Sequence, residues 1–320
     1  MARVLALIGA VLLCAFFVPL PDSPSAQTWA EGAPDAWSNA QRDLTALQNT
    51  GADYICPMDR DVTSRVPGSC PRCGMKLVSG IPDAKEYAVQ ITTSPAAIEA
   101  GRDVQLTFHI EDPAAPSRGK VRDFEIVHEK LYHLFVVSED LSFFEHVHPE
   151  LQSDGAFGLK VRLPRPGMYR VLSDFYPRNG TPQLVASTLL VSGDGPAMTA
   201  PHIAPELGPQ QGANVTVELV NETAQPVAGQ KTKMIFRVNP NDGLELYLGA
   251  WAHMLAASSD LIDLIHSHPI TATDHAGYKQ LEFERAFPRG GTYRVWLQLQ
   301  RKGVVNTVAF NVAVRDPAGD

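Results

Sequence analysis

From Val89 to Val191, and again from Val215 to Val314, short runs rich in Val, Ile, Leu, Phe and Thr are broken by Gly, Pro, Asp and Asn. Within these blocks Val104–Ile110 alternates apolar with polar residues, and so does Tyr293–Leu299. A two-residue period sends successive side chains to opposite faces of a strand, so each run predicts a strand with one face in a core. The breaker residues predict the turns between strands. One further apolar run, Val4–Leu20, lies outside both blocks and follows the short positive start Met1–Arg3.

The two blocks are copies. Ala100-Gly101 before Leu106-Thr-Phe108 corresponds to Ala228-Gly229 before Ile235-Phe236, and Pro164–Val171 corresponds to Pro288–Val295. Leu131–Glu150 aligns without gaps on Trp251–Ile270 at an offset of 120, with seven of twenty positions identical. Copies of about 100 residues with this texture predict seven-stranded sandwiches. Gly-x-Tyr-x-Val around Tyr169 and Tyr293 resembles the tyrosine corner of immunoglobulin-like domains. The expected fold class is therefore all-β: two tandem immunoglobulin-like β-sandwich domains, at 86–193 and 213–316, joined by a linker at 194–212. Ser192–Gly212 holds four prolines and four glycines and reads as a hinge.

Three of the seven shared positions are histidines. Copy one carries His133, His146 and His148 before Pro149; copy two carries His253, His266 and His268 before Pro269. A simple hairpin centred between Glu139 and Asp140, and between Ser259 and Asp260, would set His133 directly across from His146. His148 would share that face, at a strand end open to solvent. Three neutral imidazoles on one face suit Cu(II), Zn(II) or Ni(II). His128 is a candidate fourth ligand for copy one, whereas copy two has Leu248 at that offset. Asp174 is placed to orient a ligand imidazole of copy one, and copy two has Gln298 there. The whole stretch resembles a domain of uncharacterised exported bacterial proteins that often accompanies heavy-metal-binding domains.

A second cluster precedes the copies. Residues 51–80 carry Cys56-Pro-Met58 and then Pro67-Gly-Ser-Cys70-Pro-Arg-Cys73-Gly-Met75. A Cys-x-x-Cys-Gly knuckle turns two sulfurs to one point, and Cys56 closes the site from the far side of a loop. With so few apolar residues, folding here is coupled to ligand binding. Sulfur donors favour Cu(I), Zn(II) or heavier toxic ions. The pattern resembles the small heavy-metal-binding domain of metal-efflux adaptor proteins and some metal-transporting ATPases. That resemblance implies Cys56, Cys70 and Cys73 as ligands with Met58 or Met75 nearby. The family's His-Pro after Cys-Pro-Met is replaced here by Asp59-Arg60.

Composition narrows the function. The chain has 320 residues, 27 Lys+Arg against 35 Asp+Glu, and a formal charge of −8. The acidic balance excludes a nucleic-acid partner held through phosphates. Residues 1–26 read as a signal peptide or an N-terminal anchor in contact with the membrane, and 27–50 as a linker with one short helix. These features together predict an exported, non-catalytic metal-binding protein, extracytoplasmic (periplasmic or secreted). Copper is the first expected ion, with zinc or another heavy metal as the alternative, and a metal-efflux or membrane transport component is the expected partner. Two other readings are an adhesion or assembly protein with structural metal, and a hydrolase or oxidase built on a three-histidine site with Glu129, Glu145 or Asp174 as base.

Overall fold

The computed structural model describes residues 54–56, 62–71, 75–79, 86–112, 120–178, 180–196, 198–199, 201, 203–221 and 225–317. The expected signal or anchor at 1–26 and the linker at 27–50 lie outside the described residues, as do Met58 and Cys73. Every regular element among the described residues is a strand.

The first three strands are two-residue pieces of the Cys/Met segment. β1 (Tyr54–Ile55) pairs antiparallel with β2 (Thr63–Ser64) and β3 (Val78–Ser79). Cys70 N donates to Met75 O at 2.6 Å and Leu77 N to Gly68 O at 2.8 Å, which sets residues 68–70 alongside residues 75–77. Cys56 and Cys70 are both buried, packed with Leu77 and flanked by Tyr54 and Val62. A core this small has little apolar area to offset chain entropy.

The first sandwich is built from β4 (Ala88–Ser94), β5 (Ile98–Glu99), β6 (Asp103–Glu111), β7 (Tyr132–Ser138), β8 (Phe144–Val147), β9 (Glu150–Leu151), β10 (Phe157–Arg162), β11 (Gly167–Phe175) and β12 (Gln183–Ser192). One sheet runs β4-β6-β10-β9 and the other β5-β12-β11-β7-β8. The alternation of Val104–Ile110 places Val104, Leu106, Phe108 and Ile110 in the core between them. The second sandwich uses β13 (Gln210–Gln211), β14 (Thr216–Asn221), β15 (Lys231–Asn239), β16 (Leu244–Glu245), β17 (His253–Ser258), β18 (Leu264–Ser267), β19 (Thr271–Asp274), β20 (Lys279–Ala286), β21 (Gly291–Arg301) and β22 (Val304–Val314). Its sheets run β13-β14-β15-β20-β19 and β16-β21-β17-β18, with β22 also on β21. Each copy exceeds the seven strands expected because two-residue edge pieces such as β5, β9, β13 and β16 add to the ladders. Both tyrosine corners form: Tyr169 donates to Arg165 O at 3.0 Å, and the Tyr293 hydroxyl lies 3.1 Å from Arg289 O while donating to Asp263 Oδ2 at 2.8 Å.

β7 is buried at every position, which a strand on a solvent-facing sheet is not. Tyr132, Leu134 and Val136 enter the first core, while Phe135 and Val137 point the other way into a separate apolar cluster. That cluster joins the two sandwiches. It contains Phe135, Val137, Leu141 and Leu172 from copy one with Leu255, Ala257, Leu261 and Trp296 from copy two. Phe144 stacks on Trp296 with ring centroids 4.8 Å apart. The β8-β7-β11 face of one copy thus packs on the β18-β17-β21 face of the other, through corresponding residues of the repeat. The arrangement is that of a two-fold dimer interface made within one chain.

The linker is tied to this assembly rather than acting as a free hinge. Met198 packs on the first core, Ile203 on the inter-domain cluster and Leu207 on the second core. Glu206 exchanges two backbone hydrogen bonds with Asn311, and Gln210–Gln211 forms β13.

Candidate metal centre

The hairpin turn sets where the histidines fall. Ser138 N donates to Phe143 O, and Asp140 accepts from the Ser138 hydroxyl and from Ser142 N. Arg165 pairs with Asp140 across the turn. Leu141 takes a left-handed backbone (φ 56°), and its counterpart Leu261 does the same (φ 54°). The shared Ser-x-Asp-Leu is therefore a turn that drives a leucine into the inter-domain cluster.

This turn is one residue further along than the simple hairpin expected from the sequence. Phe135, not His133, lies opposite His146, and Leu255 lies opposite His266. Moving the centre by one residue moves each pairing by two, so the side-chain face is preserved. His133, His146 and His148 still share a face and still converge. The other sandwich covers His133 and His146, which are 2% and 7% exposed, so the site is closed on that side, while His148 at the strand end is half-buried.

In the first cluster His133 Nδ1 lies 3.0 Å from His146 Nε2 and 3.2 Å from His148 Nε2. The other ring nitrogens fix the tautomers. His133 Nε2 faces the Val127 carbonyl at 2.9 Å and must donate to it, leaving Nδ1 with a lone pair. His146 Nδ1 faces Gln298 Oε1 at 3.0 Å, and Gln298 Nε2 donates to Thr307 Oγ1. His146 Nε2 therefore also carries a lone pair. Two lone pairs facing each other at this distance repel unless a cation lies between them. A proton is a poor candidate, because burial and neighbouring imidazoles hold His146 well below its usual range, His133 near 4 and His148 near 3. A metal ion satisfies the geometry: tetrahedral donors at about 2.0–2.1 Å lie about 3.3 Å apart.

The second cluster is not the trio expected from the sequence. His253 Nδ1 lies 2.8 Å from His268 Nε2, and His253 Nε2 donates to Tyr247 O at 2.9 Å. The third member is His128 of copy one, with donor nitrogens of all three within 4.8 Å of one another. The expectation that His128 serves copy one is thereby corrected: its ring lies 3.7 Å from that of His268 and 6.4 Å from that of His133. Facing sheets bring it across, a relation that spacing along one copy does not contain. His266 stands aside, its Nδ1 bonded at 2.6 Å to Asp174 Oδ2 of copy one. The Nε2 atoms of His266 and His128 are buried and meet no hydrogen-bond partner.

The orienting groups are thus exchanged between domains. Asp174 of copy one holds His266 of copy two, and Gln298 of copy two holds His146 of copy one. The sequence marked Asp174 as an orienting group and Gln298 as its counterpart, but not the exchange. A cavity of about 20 Å³, the size of one water or ion, lies among His128, His133, Asp174, His266 and His268. In the Cys/Met segment, Met75 is half-buried beside the buried Cys70.

Residues 83–193 and 210–316 each match the family described as "Domain of unknown function (DUF8832)". The chain belongs to this family. Residues 54–79 match the family described as "Heavy metal binding domain", so the seven-histidine cluster sits within the DUF8832 pair while Cys56, Cys70 and Met75 sit within the metal-binding segment. No curated protein matches the chain. Similar solved structures include fibronectin(III)-like modules of Clostridium thermocellum CbhA, at 13% identity over 72% of this chain and 95% of that one, TM-score 0.20. The Escherichia coli adhesin FdeC matches at 12% identity over 75% of this chain and 67% of that one, TM-score 0.24. A titin segment matches at 9% identity over 73% and 97%, TM-score 0.19. At these scores no functional argument passes from them, and the sandwich fold of the DUF8832 repeats is read from their own strand order.

Proposed function

We propose that the protein is an exported, non-catalytic copper-handling protein that sequesters the ion or passes it to an efflux component. The observation that carries the reading is the pair of opposed lone pairs on His133 Nδ1 and His146 Nε2, 3.0 Å apart in a buried site. Such an arrangement is stable around a cation. The heavy-metal-binding segment adds a second, sulfur-based place for an ion.

Charge supports copper(I) as the ion of the histidine cluster, in place of the oxidised or borderline ions expected from imidazole donors alone. Burial holds the imidazoles of His128, His133, His146, His148, His253 and His268 below their usual range, so these six are neutral donors, and Asp174 is the carboxylate bonded within the cluster. The cost of burying an ion rises with the square of its charge, so a monovalent ion enters such a site more cheaply than a divalent one. Soft sulfur donors at 54–79 suit the same ion. A non-catalytic role is supported by the engagement of Asp174 with His266 and by the exposure of Glu129 at the surface. Export rests on the character of residues 1–26.

Elemental analysis of the purified protein after growth in copper tests this reading. Replacing Cys70 and Cys73 by Ser, or His133 and His148 by Ala, is expected to lower bound copper in each case. Copper content unchanged by both pairs would remove the proposal.

A further inference from the structure

We infer that the second ion site is an inter-domain clasp, in which His128 of copy one supplies the ligand that copy two lacks at Leu248, so that ion binding locks the two sandwiches together. This rests on the metal-binding reading above and goes beyond it, since a metal held within one copy has no such consequence.

His128 occupies the first of two central residues in a tight turn closed by Val127 and Lys130, with φ 48° followed by φ 65° at Glu129. The equivalent turn in copy two, closed by Tyr247 and Ala250, has Leu248 (φ 50°) and Gly249 (φ 73°). Turns with both central residues left-handed favour Asn-Gly or Gly-Gly. Copy one instead holds two residues with β-carbons there, in a backbone region that L side chains rarely adopt. The two turns touch: a β-carbon placed on Gly249 would lie 3.7 Å from Glu129 Cγ and 3.9 Å from His128 Cα. From this turn His128 reaches the other domain, its ring 5.3 Å from that of His253 and 3.7 Å from that of His268.

The donor set faces inward. His253 Nδ1 carries a lone pair, because its Nε2 donates to Tyr247 O. His266 is held in place by its Nδ1, which donates to Asp174. His128 Nε2 and His266 Nε2 are buried without hydrogen-bond partners. His128, His253 and His268 form the site, and a small rotation of His266, whose ring lies 4.5 Å from that of His268, adds a fourth nitrogen. The ligand class is an ion that accepts three or four imidazoles, Cu(I) or Zn(II).

The test uses the full chain with Cys56, Cys70 and Cys73 replaced by Ser, loaded separately with Cu(I) under anaerobic conditions and with Zn(II). Two equivalents of at least one ion are expected, together with a rise in Tm. His128→Leu copies the residue that copy two tolerates at the same backbone angles, and it should keep its circular dichroism while losing one equivalent, or weakening it on the order of 100-fold. His268→Gln, on the other domain, should remove the same equivalent, and the double variant should lose no more than either alone. The ion-dependent rise in Tm should shrink in each. A His128→Leu protein that retains two equivalents at unchanged affinity overturns the clasp. A thiol-free parent that binds neither ion would instead overturn the histidine reading itself.

Discussion

His133, His146, His253 and His266 each have one ring nitrogen held by an oxygen of the protein and the other left to the interior of the cluster. That division creates two measurable dependences. Asp174→Asn keeps the shape of the group that faces His266 but removes its charge, and removal of such an orienting group typically weakens metal affinity on the order of 10- to 100-fold. A competition titration with a chromogenic chelator reads it; unchanged affinity would show that His266 plays no part in holding an ion. The second dependence is on pH. Burial, only partly opposed by the charge of Asp174, holds His133 near pKa 4 in the folded, ion-free protein, against about 6.5 in an unfolded chain. Above about pH 6.5 both states are neutral there and stability is full. As pH falls from 6.5 toward 4 the unfolded chain binds the proton first, so stability is lost, by about 3 kcal/mol for His133 alone. Urea midpoints of the ion-free protein should therefore be flat from pH 7 to 8 and fall steadily below 6.5. A midpoint held constant down to pH 4.5 would contradict the burial of these rings.

At the scale of strands and turns, the sequence carried most of the fold. Alternation in Val104–Ile110 and Tyr293–Leu299 identified core strands, and the repeat identified two sandwiches with tyrosine corners. It misplaced the hairpin centre by one residue, because Asp140 and Arg165 draw the turn toward Leu141, and that pairing spans 25 residues of chain. The histidine face survived because a shift of one in the centre preserves side-chain parity. What the sequence could not show was that β7 is covered on both faces. Its near-continuous apolar run, Leu134–Val137, was the available signal, since a strand buried on both sides loses alternation. Leu141→Ala should destabilise the protein by about 2–5 kcal/mol, since the side chain is 1% exposed in the inter-domain cluster. Denaturation by urea measures this, and a loss below about 0.5 kcal/mol, the usual range for surface changes, would place Leu141 outside the packed interface.

Across the whole molecule, duplication produced two equal faces that then packed on each other, and the apposition brings two histidine triplets and His128 into one seven-membered cluster. Reading each copy by itself therefore assigned His128 to the wrong domain and missed that Asp174 of copy one orients His266 of copy two. The exchange of Asp174 and Gln298 between copies means that neither triplet is fully oriented unless both sandwiches are in place. The segment at 54–79, which matches the heavy-metal-binding family, precedes this unit in the chain. X-ray absorption of the copper-loaded chain in which Cys56, Cys70 and Cys73 are Ser tests the central claim most directly. The expected first shell is about three imidazole nitrogens at roughly 2.0 Å with no sulfur. A chain that retains no copper, or copper bound through oxygen without imidazole scattering, would contradict it.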